Sequence, residues 1–337
     1  MGYGSDILNS IRLELDSEYQ ARVPEASQTT FGALSQAFST YKTEFNKFHN
    51  VLFGKIGLQI VQSKMFKNPL AKFKTGGIVS PQDIEEIFVE MATAEKAFDP
   101  QGPNPLGRRS GPEVYAIYHR ENRQDQYVIT VGDYDVKKIF ISENTFENFV
   151  KSKINSIYSG DNYDEWLYMK KLLATYKNEA GTECGYFPYG VKAMAEDKKK
   201  FAVEFVEALR KAVLDLGFMS TAYNVKGVKQ QTNPADLALF IHKDVLVHVD
   251  VNLLANAFNQ SNTDMKVVPE IIPMDNFGDL ADTYAIMVDK EWFKVFDTEI
   301  SVEPQRNAEG RFTNYFYNHH QILSCSTFKN AVRFVKE

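Results

Sequence analysis

Apolar residues recur at three- and four-residue intervals in three parts of the chain, as expected of helices that bury one face. The first predicted helix spans about 34–52, and the longest helical stretch is expected at 143–177, with a break at Ser159-Gly160-Asp161. A third predicted helix contains Phe201 and ends before Gly217. The residues that define these faces are Phe38, Tyr41, Phe45, Phe48 and Leu52; Phe146, Phe149, Val150, Ile154, Ile157, Tyr158, Tyr163, Leu167, Leu173 and Tyr176; and Phe201, Phe205, Leu209, Ala212, Val213 and Leu216.

A two-residue period marks a different kind of element. Valines at every second position from Val245 to Val251 predict a half-buried strand within 236–252. Helices and strands are mixed without the regular alternation of βαβ units, so the fold class is α+β. The remaining predictions are strands at 284–288, 294–297 and 312–316 and a short helix at 253–258.

The first thirty residues show neither period. They are polar, include Pro24 and contain the run Ser27-Gln28-Thr29-Thr30. We interpret them as an extended arm that packs weakly on its own domain.

A long segment from 64 to 130 combines strand-like ends, near 70–73 and 114–118, with a middle that is rich in structure-breaking residues. Irregular segments of this length are uncommon inside a compact domain and usually signal function or partner-dependent order. We therefore predict a projecting hairpin whose faces are covered by neighbouring molecules. Its breakers are Pro100, Gly102, Pro103, Pro105, Gly107, Gly111 and Pro112, and its candidate hinges are Gly76, Gly77, Gly102 and Gly107.

Composition narrows the class of protein. A hydrophobic content of 44% with 24% charged residues is that of an ordinary globular protein, but 25 Phe and 17 Tyr accompany only two Trp. Such an aromatic surplus fits either an aromatic core or extensive subunit contacts. The net charge of −6 argues against a general nucleic-acid binder, though not against a container for DNA. No signal peptide or membrane span is expected, which indicates a soluble protein made in a cytoplasm.

Catalytic and metal-binding motifs are scarce. There is no phosphate-binding loop, nucleophile elbow or H-E-x-x-H sequence. In the predicted strand, His242, Asp244, His248 and Asp250 share one face, but the two histidines would lie about 20 Å apart, too far to bind one ion. A solvated strand face is therefore the better interpretation.

Other candidates also favour structural roles. His319 and His320 are adjacent, so they point to opposite sides of a strand and cannot share a ligand. Cys184 and Cys325 follow no metal spacing, and Cys325 is expected to be a buried structural thiol. The polar cluster 119–123 fits a charged hairpin edge or a salt-bridge network between subunits better than an anion site. We therefore predict no catalytic residue, no metal and no cofactor.

Eleven segments of the sequence form an ordered set of motifs: 70–76, 84–87, 119–124 with Tyr127, 146–158, 164–170, 250–259, 263–264, 288–293, 306–307, 314–317 and 328–335. Together they resemble segments of the major head proteins of small short-tailed phages of Gram-positive bacteria. The matches run in order from about residue 50 to the end, so their joint specificity is high.

The resemblance implies an HK97-like major capsid protein fold with an N-terminal arm, an extended loop, a peripheral domain with a spine helix, and an axial domain. Some relatives carry a further immunoglobulin-like domain, which is not expected here. The stretch 99–112 looks expanded at the loop tip. The corresponding segments are 1–63 for the arm and first helix, 64–130 for the loop, 131–182 for the spine-helix domain, 183–290 for the axial domain and 291–337 for return strands of the peripheral domain.

The resemblance also implies a function and partners. The chain would assemble with itself into hexamers and pentamers of a phage head, with a scaffolding protein, a portal and non-specifically contacted double-stranded DNA as further partners and no membrane. It would reside in the virion capsid after assembly in the host cytoplasm. The residues expected at subunit contacts are Lys72, Phe73, Lys74, Arg120, Glu121 and Arg123.

Two alternatives stay open at this point. One is an encapsulin-like shell of a cellular nanocompartment, which would have the same fold but hold enzyme cargo. The other is a metal-dependent enzyme that uses His242, His248 and nearby carboxylates.

Overall fold

The computed structural model describes residues 3–27, 30–41, 43–44, 47–48, 51, 66–77, 83–92, 111–132, 143–192, 198–249 and 270–337. The helices named below are α1 (Tyr3–Glu14), α2 (Ser17–Arg22), α3 (Phe31–Thr40), α4 (Glu143–Thr175), α5 (Lys198–Leu216) and α6 (Lys243–His248). The strands are β1 (Gly76–Gly77), β2 (Ile84–Val89), β3 (Val114–His119), β4 (Arg123–Gly132), β5 (Phe187–Val191), β6 (Leu237–His242), β7 (Glu270–Met274), β8 (Thr283–Asp289), β9 (Phe293–Asn307), β10 (Phe312–Cys325) and β11 (Ala331–Lys336).

The N-terminal segment is helical and buried against its own domain, so the expectation of a weakly packed extended arm is wrong. Leu8 and Ile11 of α1 lie on one helix face and join a cluster that contains Val131 of β4 and Tyr315 of β10. The guanidinium of Arg12 donates to the carbonyl of Val23 at 3.0 Å and ties α1 to the end of α2. The polar residues that made this segment look irregular cover the outer side of short amphipathic helices.

The helix predicted over 34–52 is interrupted. α3 ends at Thr40, and Tyr41 leaves helical dihedral angles with φ −108° and ψ 82°. Helical backbone returns at 43–44, 47–48 and 51. Phe38 still contacts Phe48, with ring centroids 4.9 Å apart. Phe45 and Leu52 lie outside the described residues.

α4 is the longest helix, as predicted, with 33 residues and a length of about 50 Å. The expected break at Ser159-Gly160-Asp161 is wrong, because the helix continues through it. Tertiary contacts explain the continuity. A Cβ atom on Gly160 would lie 3.7 Å from the ring of Tyr127, an ordinary van der Waals distance, so the helix packs against β4 at this position. Asp161 turns inward and is buried.

A four-stranded sheet has the order β1-β9-β10-β4. Its inner face packs on α4 and the N-terminal helices, through residues such as Tyr315. Its outer face is mostly polar but includes the exposed Val128, and cross-strand hydrogen bonds join Gln126 to Asn318 and Thr130 to Asn314, both at 2.7 Å. Part of this outer face therefore pairs its own polar side chains.

A five-stranded sheet has the order β5-β11-β8-β6-β7. α5, predicted from its apolar face, covers one side through Phe205 and Leu209, while Trp292 and Met169 belong to the cluster on the other side. The strands predicted at 284–288, 294–297 and 312–316 are confirmed within β8, β9 and β10. β11 lies between β5 and β8, so the predicted segment 291–337 is divided between the two sheets.

The strand predicted from the alternating valines is wrong: Val245 and Val247 lie in α6 and Val249 follows it, while Val251 lies outside the described residues. The strand within 236–252 is β6, which ends at His242, and α6 follows at once. Val245 and Val249 are buried while Val247 is 79% exposed, because residues four apart share a helix face. Over so short a stretch, the spacing of the valines fits both the two-residue period of a strand and the 3.6-residue period of a helix. The helix predicted at 253–258 lies outside the described residues.

The hairpin begins later than predicted. Residues 70–73 form a turn with a 3-10 segment instead of a strand; Leu70 and Phe73 lie in the core, while Ala71 and Lys72 are exposed. Gly76 then pairs with β9 at a positive φ of 138°, a conformation that favours glycine. The predicted strand at 114–118 is confirmed as part of β3, which pairs antiparallel with β2. Gly102 and Gly107 lie outside the described residues.

No helix among the described residues is long and apolar enough to cross a membrane.

Candidate assembly interface

The two-stranded ribbon of β2 and β3 leaves one apolar face in water. Side chains alternate between the two faces of a ribbon, and on one face every residue is exposed. We call its apolar members the ribbon stripe: Ile87, Val89, Val114, Ala116 and Tyr118. The four larger side chains are 53–61% exposed. Two strands cannot cover such a surface by themselves, so the ribbon has the properties of a binding surface.

The opposite face of the ribbon is attached to its own chain. Phe88 stacks on Phe328 with ring centroids 5.6 Å apart. Glu86 accepts a hydrogen bond from Ser326 at 2.9 Å and lies 3.2 Å from the ammonium of Lys294. His119 Nε2 lies 3.1 Å from the same carboxylate. These contacts direct the ribbon stripe away from its own domain.

This anchoring favours the ionised form of Glu86 by lowering its pKa. Burial alone would raise the pKa of Glu86, but the hydrogen bond with His119 and the charge of Lys294 outweigh it and lower the pKa below 4.5. An ionised carboxylate therefore joins the base of the ribbon to β9.

A second polar cluster, which we call the junction network, lies where the hairpin returns through β4. Arg123 Nη2 donates to Asp161 Oδ1 at 2.7 Å. His319 Nδ1 lies 2.8 Å from Asp161, and its Nε2 lies 3.1 Å from Asp297 Oδ1. Lys74 Nζ lies 2.8 Å from Asp297 and 3.1 Å from Glu165. The network thus connects α4 with β4, β9, β10 and the segment before β1.

The geometry requires a charged histidine. Ionised carboxylates only accept hydrogen bonds, so both ring nitrogens of His319 must donate. Burial alone would lower the pKa of His319, but its hydrogen bonds to Asp161 and Asp297 outweigh that effect and raise the pKa above 6.5. The pKa values of both carboxyl groups are correspondingly lowered, although burial opposes this. The imidazolium thus balances two buried negative charges.

The six residues expected at subunit contacts separate into two groups. Phe73 is buried in the core, Arg123 and Lys74 belong to the junction network, and Glu121 accepts from Gln124 at 2.6 Å. The other two are more open. Lys72 pairs with Glu270 near the start of the hairpin, and Arg120 is 75% exposed beside Asp83 at 3.0 Å. Their place in a subunit contact stays a prediction, which the geometry favours for Lys72 and Arg120.

The candidate metal ligands do not come together. His242 ends β6, where its Nδ1 accepts from the backbone N–H of Asp244 at 3.3 Å, and His248 ends α6. Asp250 lies outside the described residues. Among the residues that the structure describes, no three His, Cys, Asp or Glu side chains are grouped as ligands of a metal.

The two adjacent histidines lie on opposite faces of β10, as predicted. His320 is partly exposed near Glu121 and Glu299, whereas His319 is buried, so its interpretation as an ordinary polar strand residue is wrong. Both cysteines are free, and burial raises the pKa of the Cys325 thiol to about 12, which agrees with a structural role.

Sequence patterns missed the two main features of this region. β2 has the sequence Ile84-Glu85-Glu86-Ile87-Phe88-Val89, which breaks simple alternation and hides the exposed stripe. The junction network joins residues far apart in the chain, such as Asp161 and His319, 158 positions apart. No local pattern marked this network, because Asp161 and His319 lie in polar stretches of the sequence, 159–162 and 318–321.

Solved structures with a similar chain course identify the fold. The chain resembles the capsid structure of Staphylococcus phage Andhra, with a TM-score of 0.64, 12% identity and coverage of 83% of this chain and 87% of that one. It also resembles the capsid of Helicobacter pylori bacteriophage KHP30, with a TM-score of 0.53, 8% identity and coverage of 82% and 92%. The fold is therefore the mixed α+β, HK97-like fold of phage capsid subunits.

Sequence comparison identifies the family to which the chain belongs. The family model described as Phi29-like phage major capsid protein matches residues 8–335. The major capsid protein of Bacillus phage B103 is 34% identical over 333 residues, which cover 98% of this chain and 72% of that protein. That of Streptococcus phage Cp-1 is 28% identical, with coverage of 96% and 92%. The chain belongs to the Phi29-like major capsid protein family.

Membership of the Phi29-like major capsid protein family establishes the class of function. The chain is a structural protein, a capsid component of the virion that associates with itself to form the shell. The relatives named here are phage capsid proteins, and neither an enzyme nor a cellular compartment is supported.

Proposed function

We propose that the chain forms hexameric and pentameric capsomers of an icosahedral or prolate phage head, and that the hairpin is the main device that joins neighbouring copies. The observation that carries this is the ribbon stripe, an apolar surface exposed on an element whose other face is held by its own chain. Burial of apolar area contributes about 25 cal/mol per Å². A modest contact repeated around a closed shell therefore suffices.

The proposal assigns roles to other parts of the fold. α4 and the four-stranded sheet form the peripheral domain, and the five-stranded sheet with α5 forms the axial domain. Lys72 and Arg120 lie near the two ends of the hairpin, where a neighbour would meet them. Phe73, Lys74, Glu121 and Arg123 would support the contact by holding the base of the hairpin.

Scaffolding protein, portal and packaged double-stranded DNA are proposed as further partners, with assembly in the host cytoplasm. The net charge of −6 supports weak, non-specific contact with DNA, because a strongly basic lining would bind phosphate tightly. DNA retention by purified particles over a salt series tests this. Weak binding that disappears with added salt is expected, and salt-resistant binding would contradict it.

The hairpin proposal is tested with two variants at side chains of similar exposure, a double substitution in the ribbon stripe and a single control substitution outside it. Ile87→Ser with Val114→Ser changes the ribbon stripe, while Val128→Ser changes a side chain that is 50% exposed on β4. The proteins are expressed with and without a scaffolding protein, then studied by sedimentation and electron microscopy. Wild type and the Val128 control should form capsomers or shells, and the ribbon variant should stay as subunits. Normal shells from the ribbon variant would overturn the proposal.

A further inference from the structure

The five-stranded sheet ends in β5 on one side and in β7 on the other. In the part of the chain that the structure describes, no strand pairs with the outer side of either one. A strand at the end of a sheet presents unpaired N–H and C=O groups, which form a template for a strand of another molecule. The sheet therefore has two open edges, one along Phe187–Val191 and one along Glu270–Met274.

Each of these two edge strands contains one proline. Pro188 lies in β5 and Pro273 lies in β7, and both side chains are exposed. The three inner strands, β6, β8 and β11, contain no proline. Because proline has no backbone N–H, it is tolerated in a sheet only where no neighbouring strand needs that donor.

A backbone contact shows on which side the missing donor of Pro188 lies. Glu337, which follows β11, donates its backbone N–H to the carbonyl of Val191 at 3.0 Å. The backbone of Val191 therefore turns toward β11. Successive residues of a strand direct their backbone groups to alternate sides, so Pro188, three residues earlier, directs its nitrogen to the open edge.

The nitrogen of Pro273 has the same orientation. β7 pairs with β6 in continuous register from Glu270 to Met274, and this register includes the pair of Pro273 with Ile241. A proline nitrogen directed at β6 would remove a hydrogen bond from this ladder. The nitrogen of Pro273 therefore also lies at an open edge.

The residues around these prolines otherwise favour pairing between strands. Short segments of apolar, β-branched or aromatic residues that lack proline readily add to one another. The segments here are Ile271, Ile272 and Met274 in β7, and Phe187, Tyr189 and Val191 in β5.

Charged side chains protect the ends of the two edges. Lys192 follows β5, and its side chain is 61% exposed. Glu270 begins β7 and pairs with Lys72. Charges on an edge strand oppose its pairing with another strand. In the middle of each edge, the proline has this role.

We infer that Pro188 and Pro273 prevent the five-stranded sheets of neighbouring copies from joining edge to edge. The excluded partner is a second copy, because the chain associates with itself to form the shell and every copy carries both open edges. Backbone N–H and C=O groups are alike in every strand, so pairing through them has little specificity. The two prolines therefore protect regular assembly from competition by irregular sheet growth. This inference is independent of the hairpin proposal.

Substitution of the two prolines tests this role. The double variant Pro188→Val with Pro273→Val restores both donors and adds β-forming side chains, whereas Pro188→Lys with Pro273→Lys restores the donors but places a charge on each edge. Pro24→Val is the control, because Pro24 lies in an irregular segment outside both sheets. Each protein is concentrated side by side with wild type, and irregular aggregate is measured by sedimentation and electron microscopy. The valine variant should contain about tenfold more irregular aggregate than wild type, while the lysine variant and the control should resemble wild type.

The comparison between these variants identifies the cause of any aggregation. Equal amounts of irregular aggregate in the valine variant and in wild type would overturn the inference. Equal aggregation of the lysine and valine variants would also overturn it, because loss of the rigid proline ring, and not an opened edge, would then be responsible. Aggregation of the control to the same extent as the valine variant would have the same meaning.

Hydrogen exchange provides a second measurement in case a double variant is unfolded by circular dichroism. The single variants Pro188→Thr and Pro273→Thr then take its place, and their aggregates are compared with the dissociated subunit. Amides of 187–191 or 270–274 should gain protection in the aggregate, because strand pairing covers the open edge. Aggregates in which these amides exchange as fast as in the subunit would contradict the inference, as would folded single variants that aggregate no more than wild type.

Discussion

The N-terminal segment and the β2–β3 ribbon looked alike in sequence, since both were expected to stay unsatisfied until neighbours covered them. The structure separates them. The N-terminal helices bury Leu8, Ile11 and Tyr19 against β4 and β10 of the same chain, whereas the ribbon keeps a full apolar face in water. A helix closes its own hydrogen bonds and needs cover on one side, but two strands have two faces and only one can lie on the domain.

The two regions differ in whether their apolar surface is buried within the subunit or left for contact with other subunits. A surface already buried inside the subunit contributes to folding, and a surface left open contributes to association. The junction network lies between the two regions, because β4 contacts the N-terminal cluster at Val131 and begins at Arg123 beside the base of the hairpin. The following predictions test whether the two regions are as different as they look.

The largest effect is expected at the junction. Asp161→Asn would leave the cations of Arg123 and His319 buried without their shared carboxylate, and breaking such a buried pair costs about 3–5 kcal/mol. Denaturant unfolding of the dissociated subunit measures this. Asp125→Asn removes a more exposed partner of Arg123 and should cost clearly less. Equal losses for both variants would show that burial of the network does not matter.

A smaller but substantial effect is expected in the N-terminal segment. Ile11 is fully buried, so Ile11→Ala should lower the free energy of unfolding by about 2–5 kcal/mol. Leu13 on the same helix is 74% exposed, and Leu13→Ala should change it by no more than about 0.5 kcal/mol. The same unfolding experiment compares them. A free arm would give two equally small effects.

The third effect is a dependence on pH. The pKa of His319 is raised in the folded state, so its stabilising contribution is present below pH 6.5 and is lost as the pH rises through the folded pKa. Asp161 and Asp297 have lowered pKa values, so their contribution is lost only in acid. Stability of the subunit should therefore fall as the pH rises from 6.5 through the raised pKa of His319. His319→Gln should reduce this slope, with His248→Gln on α6 as the control, and an unchanged slope would contradict the imidazolium.

The smallest effect on folding is expected in the ribbon. Val89→Thr, at a side chain that is 53% exposed, should change subunit stability by no more than about 0.5 kcal/mol. Hydrogen exchange gives the complementary measurement. Amides of 84–89 and 114–119 should gain protection on assembly, while those of 5–14 should be protected beforehand. Ribbon amides that are equally protected in subunit and shell would remove the distinction between the two regions.

Elements with a sustained period were predictable. The helical extent of α4, the buried face of α5 and the strands of β8 to β10 follow from the spacing of their apolar residues. Tyr163 and Leu167 were expected on the buried face of α4 but are exposed. Errors arose where a short segment fitted two periods, as in Val245 to Val249, or where helices were short and mostly polar, as in α1 and α2. The uninterrupted course of α4 through Gly160 could not be predicted, because contacts with β4 override the local preference of a glycine.

By itself, the sequence determined the α+β class, the long helix, the existence of a hairpin and, through its ordered resemblance, the phage capsid family. Only the tertiary structure decided that the N-terminal segment is buried, that His319 is a charged centre between two carboxylates, and which face of the ribbon stays exposed. The physical reason is that apolar spacing records which side of an element avoids water. Whether that side meets its own domain, a buried charge or another molecule depends on groups that lie far away along the chain.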